Sequence, residues 1–316
     1  MMHAELIRIF RQAHRILGMW VLLSGLGLAG HVGAQPTPYN FSGDARSAPD
    51  LPLPTEVTPI EAANYPKMML LKPEGHGPFP AVVLGHQCGG LVFSRTNPNI
   101  ANWSMLQWAK DFHAAGYVVL LLDFMGPRGA TVVCNGPQNG VTLGRSIQDF
   151  FQASAYMRAL PYVNPKQVGL VGFSQGALLT FFVNSKAYRE AFKQPQGFDA
   201  YVSFYPPCRF MLRGTATVVD LVQPDIEKPQ LVLVGTRDNE APYSDCQSTI
   251  APLEKAGKPM SIHTYEDASH CWDCKSLDGF SKPGRHGTVT YTYSPAATQD
   301  SLQRSLAFLR QSLALP

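Results

Sequence analysis

Unbroken apolar runs recur along the chain and predict buried strands at Ala81–Leu84, Tyr117–Leu122, Val168–Val171, Asp199–Tyr205, Leu231–Val234 and Met260–Tyr265. A run of this length with no polar alternation belongs to a strand covered on both faces, as in the interior of a parallel sheet. Between the runs, apolar positions fall at helical spacing. Trp103–Ala115 stops at a capping Gly116, and Leu143–Leu160 carries Ile147, Phe150, Phe151, Ala155 and Leu160 as its stripe. Further helices are expected from Gln175, over Tyr243–Ala256 and over Pro295–Leu313, with a short strand at Met68–Leu71. Strand and helix in alternation predict an α/β domain: a mostly parallel central sheet with helices on both faces. Residues 209–226 are too short and irregular for a large lid.

The pattern breaks at the N-terminus. Arg8, Arg11 and Arg15 precede the apolar run Ile16–Gly30, and Val32-Gly33-Ala34 offers small residues for cleavage, so residues 1–34 are expected to be a signal peptide. An uncleaved anchor is the alternative, but the run is shorter than the roughly 20 residues that span a bilayer. Residues 35–66 carry seven prolines and little periodicity, which predicts an extended arm before a catalytic domain over 67–316. No later apolar run is long enough for the membrane, so the mature chain is expected to be periplasmic or secreted and without a membrane partner.

The chemistry concentrates at Gly172-Phe173-Ser174-Gln175-Gly176, where an apolar strand turns into a helix. This is the setting of a nucleophile elbow, in which glycines let strand and helix pass closely and the serine is held, strained, at the tip. Candidate partners follow in the order acid, then histidine. Asp238 opens the loop after the strand Leu231–Val234, although an aspartate there is also suited to capping the next helix, and Asp245 is a competing acid. His270 follows the last clear strand and has an intrinsic pKa suited to accepting and returning a proton near neutrality. The backbone N–H of Gln175, with that of Gln87 or Cys88 in the Gly85–Gly90 loop, is the expected oxyanion hole. His86, beside that loop, is read as structural or as lining it. Arg128, after the strand Tyr117–Leu122, either binds a substrate carboxylate or clamps loops through carbonyls.

Composition narrows the partners. The net charge is +3, and without residues 1–34 it is close to balanced, at 23 basic against 22 acidic residues. No basic stripe with interleaved aromatics is present, so nucleic acid is not expected as a partner. All six cysteines, Cys88, Cys134, Cys208, Cys246, Cys271 and Cys274, follow the signal, where an exporting route permits disulfides. A zinc site lacks the second Cys-x-x-Cys or His-x-x-x-His that Cys271-x-x-Cys274 would need, so no metal is expected.

Taken together, the stretch Pro80–Gly90, Gly116–Asp123, Gly126-Pro127-Arg128-Gly129, Gly172–Gly176, Gly235–Asp238, Ser269-His270 and Ser294–Ala297 resemble the dienelactone hydrolase family, particularly exported members with extra cysteines. The resemblance spans nearly all of residues 67 to 313 and implies an α/β-hydrolase fold with a triad of Ser174, Asp238 and His270. It also implies pairing of Cys88 with Cys134 and of Cys208 with Cys246, leaving Cys271 with Cys274. Members that open dienelactone use a cysteine nucleophile and a glutamate in the loop after the first core strand; here those positions hold Ser174 and His86-Gln87-Cys88. The expected function is therefore a serine hydrolase of carboxylic esters or lactones that needs no cofactor. A prolyl-oligopeptidase-type amidase and a non-catalytic binding protein are the alternatives.

Overall fold

A computed structural model of the chain describes residues 40–92, 101–211, 218–284 and 287–315. The expected signal peptide lies outside the described residues. In chain order the strands are β1 (Met69–Leu71), β2 (Phe79–Gly85), β3 (Val118–Leu122), β4 (Val163–Phe173), β5 (Ala200–Phe204), β6 (Arg209–Met211), β7 (Val218–Asp220), β8 (Gln230–Gly235), β9 (Met260–Tyr265), β10 (Ser281–Gly284) and β11 (Gly287–Thr290). The α-helices are α1 (Trp103–Ala114), α2 (Leu143–Ala159), α3 (Gln175–Val183), α4 (Lys186–Ala191), α5 (Tyr243–Lys255) and α6 (Pro295–Ser312).

Among the described residues, seven strands form the main sheet in the order β1-β3-β2-β4-β5-β8-β9, and β1 alone is antiparallel to its neighbour. The parallel strands are the continuous apolar runs of the sequence, and their alternate residues face two cores. Val82, Leu84, Val119, Leu121, Val171 and Phe173 pack with Trp108 and Phe112 of α1 and Leu309 of α6. Val83, Leu120, Leu122 and Leu170 pack with Ile147, Phe150 and Phe151 of α2 and Leu179 of α3. α5 closes the β8–β9 end, where Cys246 and Ile250 meet Val232 and Val234. Helices thus cover both faces, and all loops at the C-terminal ends of the parallel strands open on one edge, where a site in such a fold is built.

Residues 40–66 are tied to α2. Leu51 exchanges two hydrogen bonds with the Gln152 side chain, Tyr156 Oη donates to the Pro54 carbonyl, and Phe41 meets Gly144, where no side chain would fit. Two features have no counterpart in the sequence reading. Residues 209–220 include an antiparallel pair, β6–β7, and a β10–β11 hairpin follows the loop that carries His270. None of the described helices is long and apolar enough to cross a membrane.

Candidate active site

β4 ends at Phe173 and α3 begins at Gln175, so the whole reversal of the chain falls on Ser174, which takes a backbone φ of +51°. An L-residue reaches that region only under constraint. The constraint is visible: Ser174 N–H donates to the Phe204 carbonyl at 2.9 Å, and its own carbonyl accepts from Leu178 N–H at 2.8 Å. A Cβ on Gly172 would overlap the Gly176 carbonyl, and one on Gly176 would overlap the Gly85 carbonyl. Gly176 N–H in turn donates to the His86 carbonyl at 3.1 Å, which fastens the elbow to the loop after β2.

The acid and the base come from adjacent loops that are sewn together. Thr236 N–H donates to the Tyr265 carbonyl, Arg237 N–H to Ala268, and Asp267 N–H to the Thr236 hydroxyl. A Cβ on Gly235 would overlap the Ala268 carbonyl, so only glycine lets the two loops approach this closely. Within this frame His270 Nδ1 lies 2.7 Å from Asp238 Oδ2, and its Nε2 lies 3.0 Å from Ser174 Oγ. An ionised carboxylate only accepts, so the imidazole proton sits on Nδ1 and leaves Nε2 free to accept from the serine hydroxyl. All three side chains are buried. The other oxygen of Asp238 accepts from the N–H groups of Glu240 and Ala241, at 3.0 and 2.8 Å. Asp238 does not cap α5, which starts after Pro242 without a side-chain cap, and Asp245 lies in the first turn of that helix. Burial pulls the His270 imidazolium down, but Asp238 and Glu240 more than offset it and hold the ring above its ordinary value.

Gln175 is the first residue of α3, where a helix leaves its N–H groups unsatisfied. Among the described residues, neither its N–H nor that of Gln87 meets a protein acceptor. The loop carrying Gln87 and Cys88 is fixed from several sides. His86 is fully buried, stacked on Phe124 with centroids 4.0 Å apart, and its Nδ1 lies 2.7 Å from the Gln87 carbonyl. The Gln87 side chain accepts from Asn102 Nδ2 at 2.6 Å and donates to Tyr205 Oη at 3.0 Å. Tyr205 Oη donates to Asp273 Oδ1 at 2.8 Å, and Trp108 Nε1 donates to the other oxygen at 2.7 Å. The buried chain Asn102–Gln87–Tyr205–Asp273–Trp108 joins the Gln87–Cys88 loop to the residues just past His270. Burial, with Asp273 alongside, pushes the Tyr205 hydroxyl well above its usual range, so it stays a donor.

All six cysteines are bonded, as Cys88–Cys134, Cys208–Cys246 and Cys271–Cys274. Cys271, Asp273 and Cys274 bring donor atoms together, but the sulfurs are joined to each other and Asp273 is held by Trp108 and Tyr205. Arg128 is given to the clamp. Its guanidinium forks onto Asp149 at 2.6 and 2.8 Å and also donates to the Phe124 and Pro49 carbonyls. With those donors engaged and the side chain buried, the structure offers no support for substrate binding by Arg128. A cavity of about 610 Å³, lined by Leu91, Val92, Asp123, Met125 and Ala130 among others, lies directly after the Gln87–Cys88 loop and at the end of β3.

A strained serine on a strand-to-helix turn, a histidine bonded to it and an acid behind the histidine, at the C-terminal edge of this sheet, define the class as an α/β-hydrolase fold. The chain belongs to the dienelactone hydrolase family, whose model matches residues 67–313. It is 30% identical over 135 residues to a carboxymethylenebutenolidase of Pseudomonas putida, covering 42% of this chain and 49% of that one. It is 23% identical over 175 residues to an uncharacterized peptidase of Bacillus subtilis, covering 50% of this chain and 27% of that one. The chain thus spans about half or less of the length of these curated relatives. Esterase 2 of the planctomycete Thermogutta terrifontis, solved with butyrate, superposes with a TM-score of 0.54 at 17% identity, covering 77% of this chain and 88% of that one. An α/β hydrolase from a deep-sea metagenome library of the Medee basin gives a TM-score of 0.54 at 17% identity, covering 75% and 86%. At those identities the structural likeness speaks for the fold.

Proposed function

We propose that the protein is an exported serine hydrolase of carboxylic esters or lactones. The observation that carries this reading is the unbroken relay from Ser174 Oγ through His270 to Asp238, at 3.0 and 2.7 Å. Ser174 Oγ attacks the acyl carbon as its proton passes to His270 Nε2, and Asp238 keeps the ring oriented and stabilises its cation. The N–H groups of Gln175 and of Gln87 or Cys88 receive the oxyanion. The Nε2 proton then leaves with the alcohol, and water deprotonated by His270 releases the acid. No step calls for a metal or an organic cofactor. Export rests on the expected signal peptide together with three disulfides.

The purified chain should hydrolyse p-nitrophenyl acetate, and Ser174→Ala should abolish it. A peptide p-nitroanilide cleaved faster than the ester would turn the reading towards a peptidase or amidase, and the Bacillus relative is named an uncharacterized peptidase. No turnover of either would leave a binding protein on a hydrolase scaffold.

A further inference from the structure

His270 has a carboxylate on each side. Asp238 takes Nδ1, and the other carboxylate is Glu240, whose Oε2 lies 4.0 Å from Nε2, the nitrogen that faces Ser174. Glu240 is clamped there by the β10–β11 region. Tyr291 Oη donates to Oε2 at 2.7 Å, and Lys282 Nζ donates to Oε1 at 2.8 Å. The Glu240 backbone N–H meanwhile donates to Asp238. Burial raises the pKa of Glu240, but His270, Lys282 and Tyr291 outweigh it, and the carboxyl is held below its ordinary value, ionised at neutral pH.

Anchoring the hairpin would account for the two clamps, but it would not require the carboxylate to face Nε2. The hairpin has a separate tie to the same loop, through Asn239 Nδ2 donating to the Thr288 carbonyl at 2.7 Å. At 4.0 Å Glu240 is also too far to hydrogen-bond Nε2, so it leaves the nitrogen's lone pair to the serine hydroxyl. It is near enough to act on the charge that appears once Nε2 is protonated.

We propose that Glu240 is a second carboxylate serving His270, a positioning residue on the Nε2 side whose charge stabilises the imidazolium formed when Ser174 attacks. The proposal rests on the ester-hydrolase reading and deepens it. In the step concerned the Ser174 O–H bond breaks, the Nε2–H and Oγ–acyl bonds form, and the ring gains a positive charge between Asp238 and Glu240. That charge is discharged when the Nε2 proton goes to the departing alcohol. Tyr291 and Lys282 fix the distance, and Lys282 moderates the field of the carboxylate.

The groups facing His270 are Asp238 and Glu240 from the loop after β8, Lys282 of β10, Tyr291 past β11, Tyr205 past β5, Ser174 of the elbow and Asp273 of its own loop. Burial pushes both tyrosines above their ordinary range, so neither titrates between about pH 5 and 9. Burial also raises the Asp273 carboxyl, but Asp273 is bonded by Trp108 and Tyr205 rather than by Glu240 or Lys282, so the part of the acid limb of kcat/KM that moves with Glu240 and Lys282 follows His270, which must be neutral to accept a proton.

The test uses the full chain, p-nitrophenyl acetate from about pH 5 to 9, and active sites counted with a fluorophosphonate. Glu240→Gln should lower kcat at the plateau by roughly tenfold with KM within about twofold, and should move the acid limb to lower pH. Lys282→Met leaves the Glu240 carboxylate without its cation and should move the limb the opposite way, to higher pH. A hairpin that merely holds the fold would shift neither limb, or both in one direction, and either result overturns the proposal. If Glu240→Gln gives no countable sites, Tyr291→Phe with Lys282→Met decides it: Tyr291→Phe must slow kcat with KM held. Should the unaltered protein show no ester turnover, the hydrolase reading itself fails. Turnover by the unaltered protein with superimposable variant profiles sinks the role of Glu240 alone.

Discussion

Asp238→Asn tests the relay at its least replaceable point. In the protein Asp238 Oδ1 accepts two backbone N–H groups, from Glu240 at 3.0 Å and Ala241 at 2.8 Å, while Oδ2 faces His270 Nδ1 at 2.7 Å. An asparagine at this position has only one oxygen, and the two backbone donors claim it. Turning the amide over would forfeit both bonds, about 1 kcal/mol each, and would set an NH2 against two N–H groups. The amide nitrogen therefore faces Nδ1 and donates to it. That moves the imidazole proton to Nε2, where the ring can no longer accept from Ser174. A fixed wrong tautomer in an otherwise intact relay lowers kcat by about 10⁴, equivalent to about 5.4 kcal/mol at 1.36 kcal/mol per tenfold. Initial rates on p-nitrophenyl acetate at neutral pH, with the urea unfolding midpoint as a control for folding, give the answer. A well-folded Asp238→Asn within tenfold of the unaltered rate would refute the reasoning and require another acid.

Three further outcomes follow from the same geometry. Tyr205→Phe leaves Gln87 Nε2 and Asp273 Oδ1 buried without their shared partner, and should cost about 2–3 kcal/mol in urea unfolding; an unchanged midpoint would show that the buried chain contributes nothing. Gly176→Ala drives a methyl into the Gly85 carbonyl and shifts the loop carrying Gln87, so kcat should fall by a hundredfold or more while the helices seen by circular dichroism persist; a near-normal kcat would remove that loop from the oxyanion site. Replacing Cys88 and Cys134 by serine frees a link across 46 residues and should cost up to about 4 kcal/mol of stability, read as a lower thermal midpoint in non-reducing buffer.

The sheet was legible because its central strands are covered on both faces and so read as unbroken apolar runs, from Ala81–Leu84 to Met260–Tyr265. The elbow was legible because it must be made from one contiguous pentapeptide whose glycines have a steric reason, and Ser174 at φ +51° with the crowded Gly172 and Gly176 gives that reason. Asp238 and His270 are legible as candidates by position, each just past a strand end. Glu240 and Tyr205 escaped because their partners lie far away in the chain: Lys282 is 42 residues from Glu240, and Asp273 is 68 from Tyr205. No periodicity marks such pairs. The β10–β11 hairpin was missed because its strands are four residues each, include Pro283, and bury little beyond Val289. Arg128 has two readings in the sequence because the partner that takes its fork, Asp149, is fully buried on α2 and 21 residues away.

Covalent trapping tests most directly whether Ser174 is the nucleophile. The protein is incubated with a fluorophosphonate, digested, and the adduct located by mass spectrometry. A single adduct on Ser174, absent in Ser174→Ala and strongly slowed in Asp238→Asn, is the predicted result. No adduct on the folded protein, or one on a different residue with Ser174 unmodified, would contradict it.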